Sequence, residues 1–81
     1  MTDRTVRIVA LEQQRQHAKW GFPQFSGMLP ERVLAVLTEE LGELAEAILK
    51  QTNVEEELIH VAAVAVSWLD ECWQQEEEDE R

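Results

Sequence analysis

Between Leu58 and Leu69 the chain reads LIHVAAVAVSWL, an almost unbroken apolar run. Such a segment favours burial, yet Glu57 and His60 sit three residues apart at its start. The alternation of small and large residues in VAAVAVSWL lets a neighbouring helix approach closely. The fold must therefore cover the run, and it must account for a carboxylate and an imidazole in its opening turns.

The chain has 81 residues, enough for one domain. A lone three-helix domain of this size buries a small share of its surface and is marginally stable. Cys72 is the only cysteine, so no intramolecular disulfide forms. Metals or oligomerisation usually supply the missing stability in such chains.

Three helices are predicted. The first lies within residues 1–20 and runs from Asp3, a candidate N-cap, to Trp20, with Val6, Val9 and Ala10 at helical spacing. Two glycines and Pro23 mark a loop over 21–29. Pro30 suits the first turn of a second helix, 30–51, where its missing N–H costs nothing. Val33, Leu37, Leu41, Leu44 and Ile48 recur in that helix as a buried stripe. Asn53 followed by Glu56 reads as an N-cap with a capping box, opening a third helix over 53–75. The remainder, EEEDER at 76–81, reads as a frayed, solvated tail. No strand alternation competes. The expected class is all-α, an antiparallel helical hairpin plus an N-terminal helix, completed as an oligomeric helical bundle, a homodimer or homotetramer.

Charge narrows the function. The formal net charge is -10, from 17 acidic and 7 basic residues. Binding a nucleic-acid backbone needs clustered Lys and Arg, so that partner is not expected. The apolar run is too short and too interrupted to span a bilayer of about 30 Å. The N-terminal residues lack the apolar core of a targeting peptide. A soluble, cytoplasmic protein is the expectation.

The acidic residues are patterned. Glu40 and Glu43 are three apart on the second helix and share a face, with Glu39 at its edge. Glu57 and His60 repeat the spacing on the third. The short connection makes the two helices antiparallel neighbours, so a modest axial offset brings the pairs together. Clustered carboxylates repel one another and are costly to desolvate. Such a cluster usually persists around a cation, and oxygen-rich sites suit Mg²⁺ or Mn²⁺. Gly42, costly in a helix interior by about 1 kcal/mol, hints at close approach by a helix or ligand. The competing reading is a solvated acidic face, the reading given to Glu31, Glu46, Glu55 and Glu56.

EELGELAEAI followed by EELIHVAAVAV resembles the MazG-like all-α nucleoside triphosphate pyrophosphohydrolases. Their pattern is E-x-x-E, a variable gap, then E-x-x-D. Here Glu40-Leu-Gly-Glu43 supplies the first half and Glu57-Leu-Ile-His60 the second, with 13 residues between them. RQHAKWG and the proline-containing loop are similar to the family's N-terminal helix and linker, so the resemblance covers nearly the whole chain. It implies metal-dependent hydrolysis of (d)NTPs to monophosphate and pyrophosphate, with Mg²⁺ as the usual ion and Mn²⁺ as its substitute.

By that resemblance Glu40, Glu43, Glu57 and His60 fall at the metal positions. Glu39 is the candidate catalytic residue, as a further ligand or as the group that orients the attacking water. Arg15 and Lys19 are candidate phosphate donors, and Trp20 a candidate base-stacking surface or a hydrophobic plug. His17 and Phe25 are weaker candidates of the same kind. His60 departs from the family's aspartate. It leaves three outcomes: an altered metal preference, a site of three or four glutamates with His60 outside the coordination sphere, or lost catalysis. The second is favoured because Glu39 can supply oxygens. Two further functions compete with the enzyme: a degenerate relative that binds nucleotide or metal without turnover, and a non-enzymatic acidic helical partner.

Overall fold

The computed structural model describes residues 1–79 and consists of three helices, α1 (Asp3–Trp20), α2 (Pro30–Lys50) and α3 (Val54–Asp79). The described residues contain no strand, and no helix among them is long and apolar enough to cross a membrane.

Each helix end has a local cause. Thr2, not Asp3, caps α1: it is extended at φ −76°, ψ 157°, and its hydroxyl accepts the Thr5 N–H at 3.1 Å. Asp3 falls inside the first turn, where its charge complements the helix dipole. Gly21 ends α1 at φ +97°, a conformation that disfavours a side chain, and its N–H reaches the His17 carbonyl at 2.8 Å. Pro30 opens α2 as expected.

At the far end of α2 the Thr52 N–H returns to Ala47 O at 3.0 Å and the Gln51 N–H to Ile48 O at 3.2 Å, a Schellman closure with Gln51 left-handed at φ 56°. Asn53 is left-handed too, at φ 55°. It contributes its carbonyl, which accepts the Glu57 N–H at 3.0 Å, and no side-chain capping box with Glu56 forms. Two successive left-handed corners turn the chain back in three residues and make α2 and α3 antiparallel.

The acidic tail corrects the sequence reading. Glu76 to Asp79 continue α3 instead of fraying. Glutamate is a good helix former, and the Gln75 amide donates to Asp79 Oδ1 at 3.2 Å one turn on. Residues 80 and 81 of the expected tail lie outside the described residues.

Helix α3 is the central element. Both α1 and α2 pack on it, and no Cα of α1 comes within 8 Å of one in α2. Ala63 and Ser67, fully buried, are the small residues that permit this double packing. On one side Gln13 of α1 donates to Ser67 Oγ at 3.1 Å and Asp70 Oδ2 at 3.3 Å. On the other, Val33 of α2, Val64 of α3 and Phe25 of the loop form the core, flanked by Val36, Leu37 and Trp68. The Phe25 N–H donates to Glu71 Oε1 at 3.0 Å, which pins the loop to α3.

The inward face of α2 is rotated from the predicted stripe. Val33, Leu37, Leu44 and Ala47 turn inward, whereas Leu41 and Ile48 are 47% and 55% exposed. Glu40 lies in register with the inward set, between Leu37 and Leu44, so the same rotation carries its carboxylate towards α3.

Gly42 shows no close approach: a Cβ built there meets no atom within 4 Å. Gly42→Ala is therefore expected to stabilise the protein by up to about 1 kcal/mol, read as a higher urea midpoint. A loss of stability would show that Gly42 faces something packed in solution.

Candidate metal and phosphate site

Because α1 and α2 both lean on α3 without meeting, they leave a cleft of about 520 Å³ between them. Arg15, Gln16, Lys19 and Trp20 of α1 form one wall, and Glu39, Glu40 and Glu43 of α2 form the other. His60 and Val64 of α3 form the floor, and Gln24, Phe25 and Met28 of the loop contribute to the lining. Of the residues singled out for metal, catalysis and substrate, all but Glu57 and the weaker candidate His17 line this one cleft. Glu57 stands beside its floor.

Glu40, Glu57 and His60 each present one ligand atom, and these atoms lie within 4.8 Å of one another. Glu43, one turn beyond Glu40, and Glu39 are exposed and lie outside this trio. The imidazole faces a carboxylate through each nitrogen. Nδ1 is 3.3 Å from Glu57 Oε2, and Nε2 is 3.8 Å from Glu12 Oε2. Burial, reinforced by the charge of Glu43, pushes the Glu40 carboxyl above its ordinary value; His60 opposes the rise, while Glu57 and Glu12 add to it. A carboxylate held this way is relieved by a cation.

Glu12 was not recognised in the sequence. Its side chain is only 10% exposed and accepts a bidentate pair from Arg15, Nε to Oε1 and Nη2 to Oε2, both at 2.7 Å. That hydrogen bonding from Arg15 outweighs desolvation and holds the Glu12 carboxyl below its ordinary value, with Gln16, the charge of His60 and that of Arg15 assisting. Glu12, Arg15, Gln16 and Lys19 recur at helical spacing along one edge of α1, which was the available signal. What the spacing lacked was any indication that this edge faces His60.

Gln16 was missed as well. It is 95% buried, being 5% exposed, and its amide nitrogen donates to Glu12 Oε2 at 3.0 Å and to the His60 carbonyl at 3.5 Å. Both partners are acceptors, so the amide orientation is fixed. Its carbonyl oxygen is buried without a partner. Leaving such a group unsatisfied costs about 1–3 kcal/mol.

The substrate candidates already have partners within the chain. Lys19 Nζ lies 4.9 Å from the centroid of the Trp20 ring, a cation–π contact, and Trp20 is 64% exposed. Arg15 points at Glu12. His17 packs edge-on against Phe22 with ring centroids 5.0 Å apart, and Phe25 belongs to the core. The two weaker candidates thus serve packing.

The donor set fits a divalent cation. It offers two carboxylates and one imidazole at coordinating separation, with a buried acceptor in the same cleft. A scan against protein-family models, a search of curated proteins and a search of solved structures each found no match.

Proposed function

We propose that this chain is a metal-dependent nucleoside triphosphate pyrophosphohydrolase, cleaving (d)NTPs between the α- and β-phosphates to give a monophosphate and pyrophosphate. The observation that carries this reading is the convergence, in one cleft, of Glu40 and His60, with Glu57 beside them, and the cationic and aromatic side chains of α1. A bound divalent ion, Mg²⁺ or Mn²⁺, would neutralise phosphate charge and lower the pKa of a bound water. Glu40 and Glu57 hold that ion, with Glu43 in reserve one turn along. Glu39 orients the attacking water. Arg15 and Lys19 turn from Glu12 and Trp20 to the phosphate oxygens as charge-assisted donors, and Trp20, once uncovered, stacks on the base. The resemblance of the two motifs to MazG-like enzymes supports the same reaction.

The experiment is product analysis. Purified protein with Mg²⁺ or Mn²⁺ and a panel of canonical and modified NTPs is expected to release pyrophosphate and the monophosphate. Failure with every nucleotide and both ions removes the enzyme. A second reading, binding without turnover, is favoured by His60 in the family's aspartate position. Under it His60→Asp produces a large gain of activity.

The functional unit is a homo-oligomer, dimer or tetramer, in this proposal. Leu34, Leu41 and Ile48 recur every seven residues along α2 and are each about half exposed, and Leu69 and Trp73 of α3 are exposed to a similar degree. A second apolar face on so small a chain is the kind that association covers. Light scattering is expected to give a mass above the 9.4 kDa of one chain, and Leu41→Glu to reduce it to the monomer. A monomeric unaltered protein contradicts this part of the proposal.

A further inference from the structure

The departure at position 60 bears on which ion the site takes. A histidine that binds a metal through one nitrogen usually has its other N–H oriented by a carboxylate or carbonyl. His60 has that arrangement available: Nδ1 faces Glu57, a member of the trio, and Nε2 faces Glu12, which lies outside it. Without nucleotide, Glu12 is itself fixed, by two bonds from Arg15 and one from Gln16. Gln16, which lines the same cleft, holds Glu12 through its amide nitrogen and keeps its own carbonyl oxygen buried without a partner.

We infer that His60 is a direct nitrogen ligand through Nδ1, with Glu40 and Glu57 as its oxygen partners and Glu12, 3.8 Å from Nε2, as the positioning residue on which Nε2–H closes when the ion binds. This makes the site selective for a borderline transition ion, Mn²⁺ or Co²⁺, over Mg²⁺, because neutral imidazole is a poor ligand for Mg²⁺. The inference rests on the proposed cation site but not on turnover. It takes a different outcome from the all-glutamate site, with His60 outside the coordination sphere, that the sequence favours.

The test uses the full chain and the ions alone. Calorimetry is expected to show Mn²⁺ and Co²⁺ binding at least about tenfold more tightly than Mg²⁺. Pulsed electron paramagnetic resonance of the Mn²⁺ complex is expected to show a nitrogen coupling that vanishes in His60→Gln. Glu12→Gln is expected to weaken Co²⁺ binding about 10–100-fold, with partial recovery in Glu12→Asp and little change for Mg²⁺. His60→Asp is expected to shift the preference towards Mg²⁺. Circular dichroism of each variant separates these effects from misfolding. An Mn²⁺ complex without nitrogen coupling, or with one that survives His60→Gln, overturns the ligand assignment while leaving the cation site intact. Unaltered Co²⁺ affinity in Glu12→Gln overturns the positioning role. If no ion binds the unaltered protein, this inference and the metal-dependent reaction fall together.

Discussion

Glu40→Gln is expected to lower pyrophosphate release by at least about 100-fold and to raise the melting temperature of the metal-free protein. The two effects have one cause. Glu40 sits on the inward register of α2 between Leu37 and Leu44, where burial is the main cause that raises its pKa, Glu43, Glu57 and Glu12 add to the rise, and His60 lowers it. Its folded-state pKa is above the unfolded value of 4.5, so the folded chain binds the extra proton in the window between the two. The penalty of ionising it is absent below that window, grows as pH rises through the raised value, and is fully present at neutral pH. An amide removes the penalty together with the proposed metal ligand. Differential scanning calorimetry without metal, at acid and at neutral pH, should find the variant's advantage mainly at neutral pH. Glu12 behaves oppositely: its lowered pKa gives stability present above 4.5 and lost as pH falls through the folded value. A Glu40→Gln protein that is active and no more stable would remove Glu40 from the site.

Phe25→Ala has the largest expected effect on folding. The ring is 6% exposed and packs with Val33 and Val64, joining loop, α2 and α3, while its backbone N–H is held by Glu71. Truncating a buried phenylalanine costs about 3–5 kcal/mol. Small domains sit near the low end of the usual stability range of about 5–15 kcal/mol, so this one change removes most of the margin. Urea denaturation followed at 222 nm should show a collapsed midpoint or a chain unfolded without denaturant. Activity should fall with it, because Phe25 also lines the cleft. A midpoint close to that of the unaltered protein would mean that the loop is not anchored through this ring.

The sequence made the helices legible because their ends rest on local chemistry. Pro30, the loop glycines and the apolar periodicity act within a few residues of where they stand, and the boundaries of α2 fall within one residue of expectation. The misses concern choices between neighbours of similar capacity. Thr2 and Asp3 both cap helices well, and only the backbone of Thr2 is extended. The tail's like charges argued for fraying, yet helix propensity prevailed through Asp79.

The rotation of α2 was legible only in part. Leu41 and Ile48 are as apolar as Leu37 and Leu44, and which of them turn inward depends on where α3 lies. The site divides along the same line. Candidates on α2 and α3 are legible because motif spacing carries across a short turn, and Glu40, Glu57 and His60 do lie together. Glu12 and Gln16 were missed because their role comes from the docking of α1 on α3, far apart in the chain.

A crystal of the full chain soaked with Mn²⁺, with data collected at a wavelength where manganese scatters anomalously, tests the proposed cation site. A single strong anomalous peak is expected between Glu40 and Glu57 with His60 Nδ1 in its coordination sphere, at the floor of the cleft between α1 and α2. A soaked crystal with no peak there, or with manganese bound only elsewhere on the acidic surface, would rule the site out.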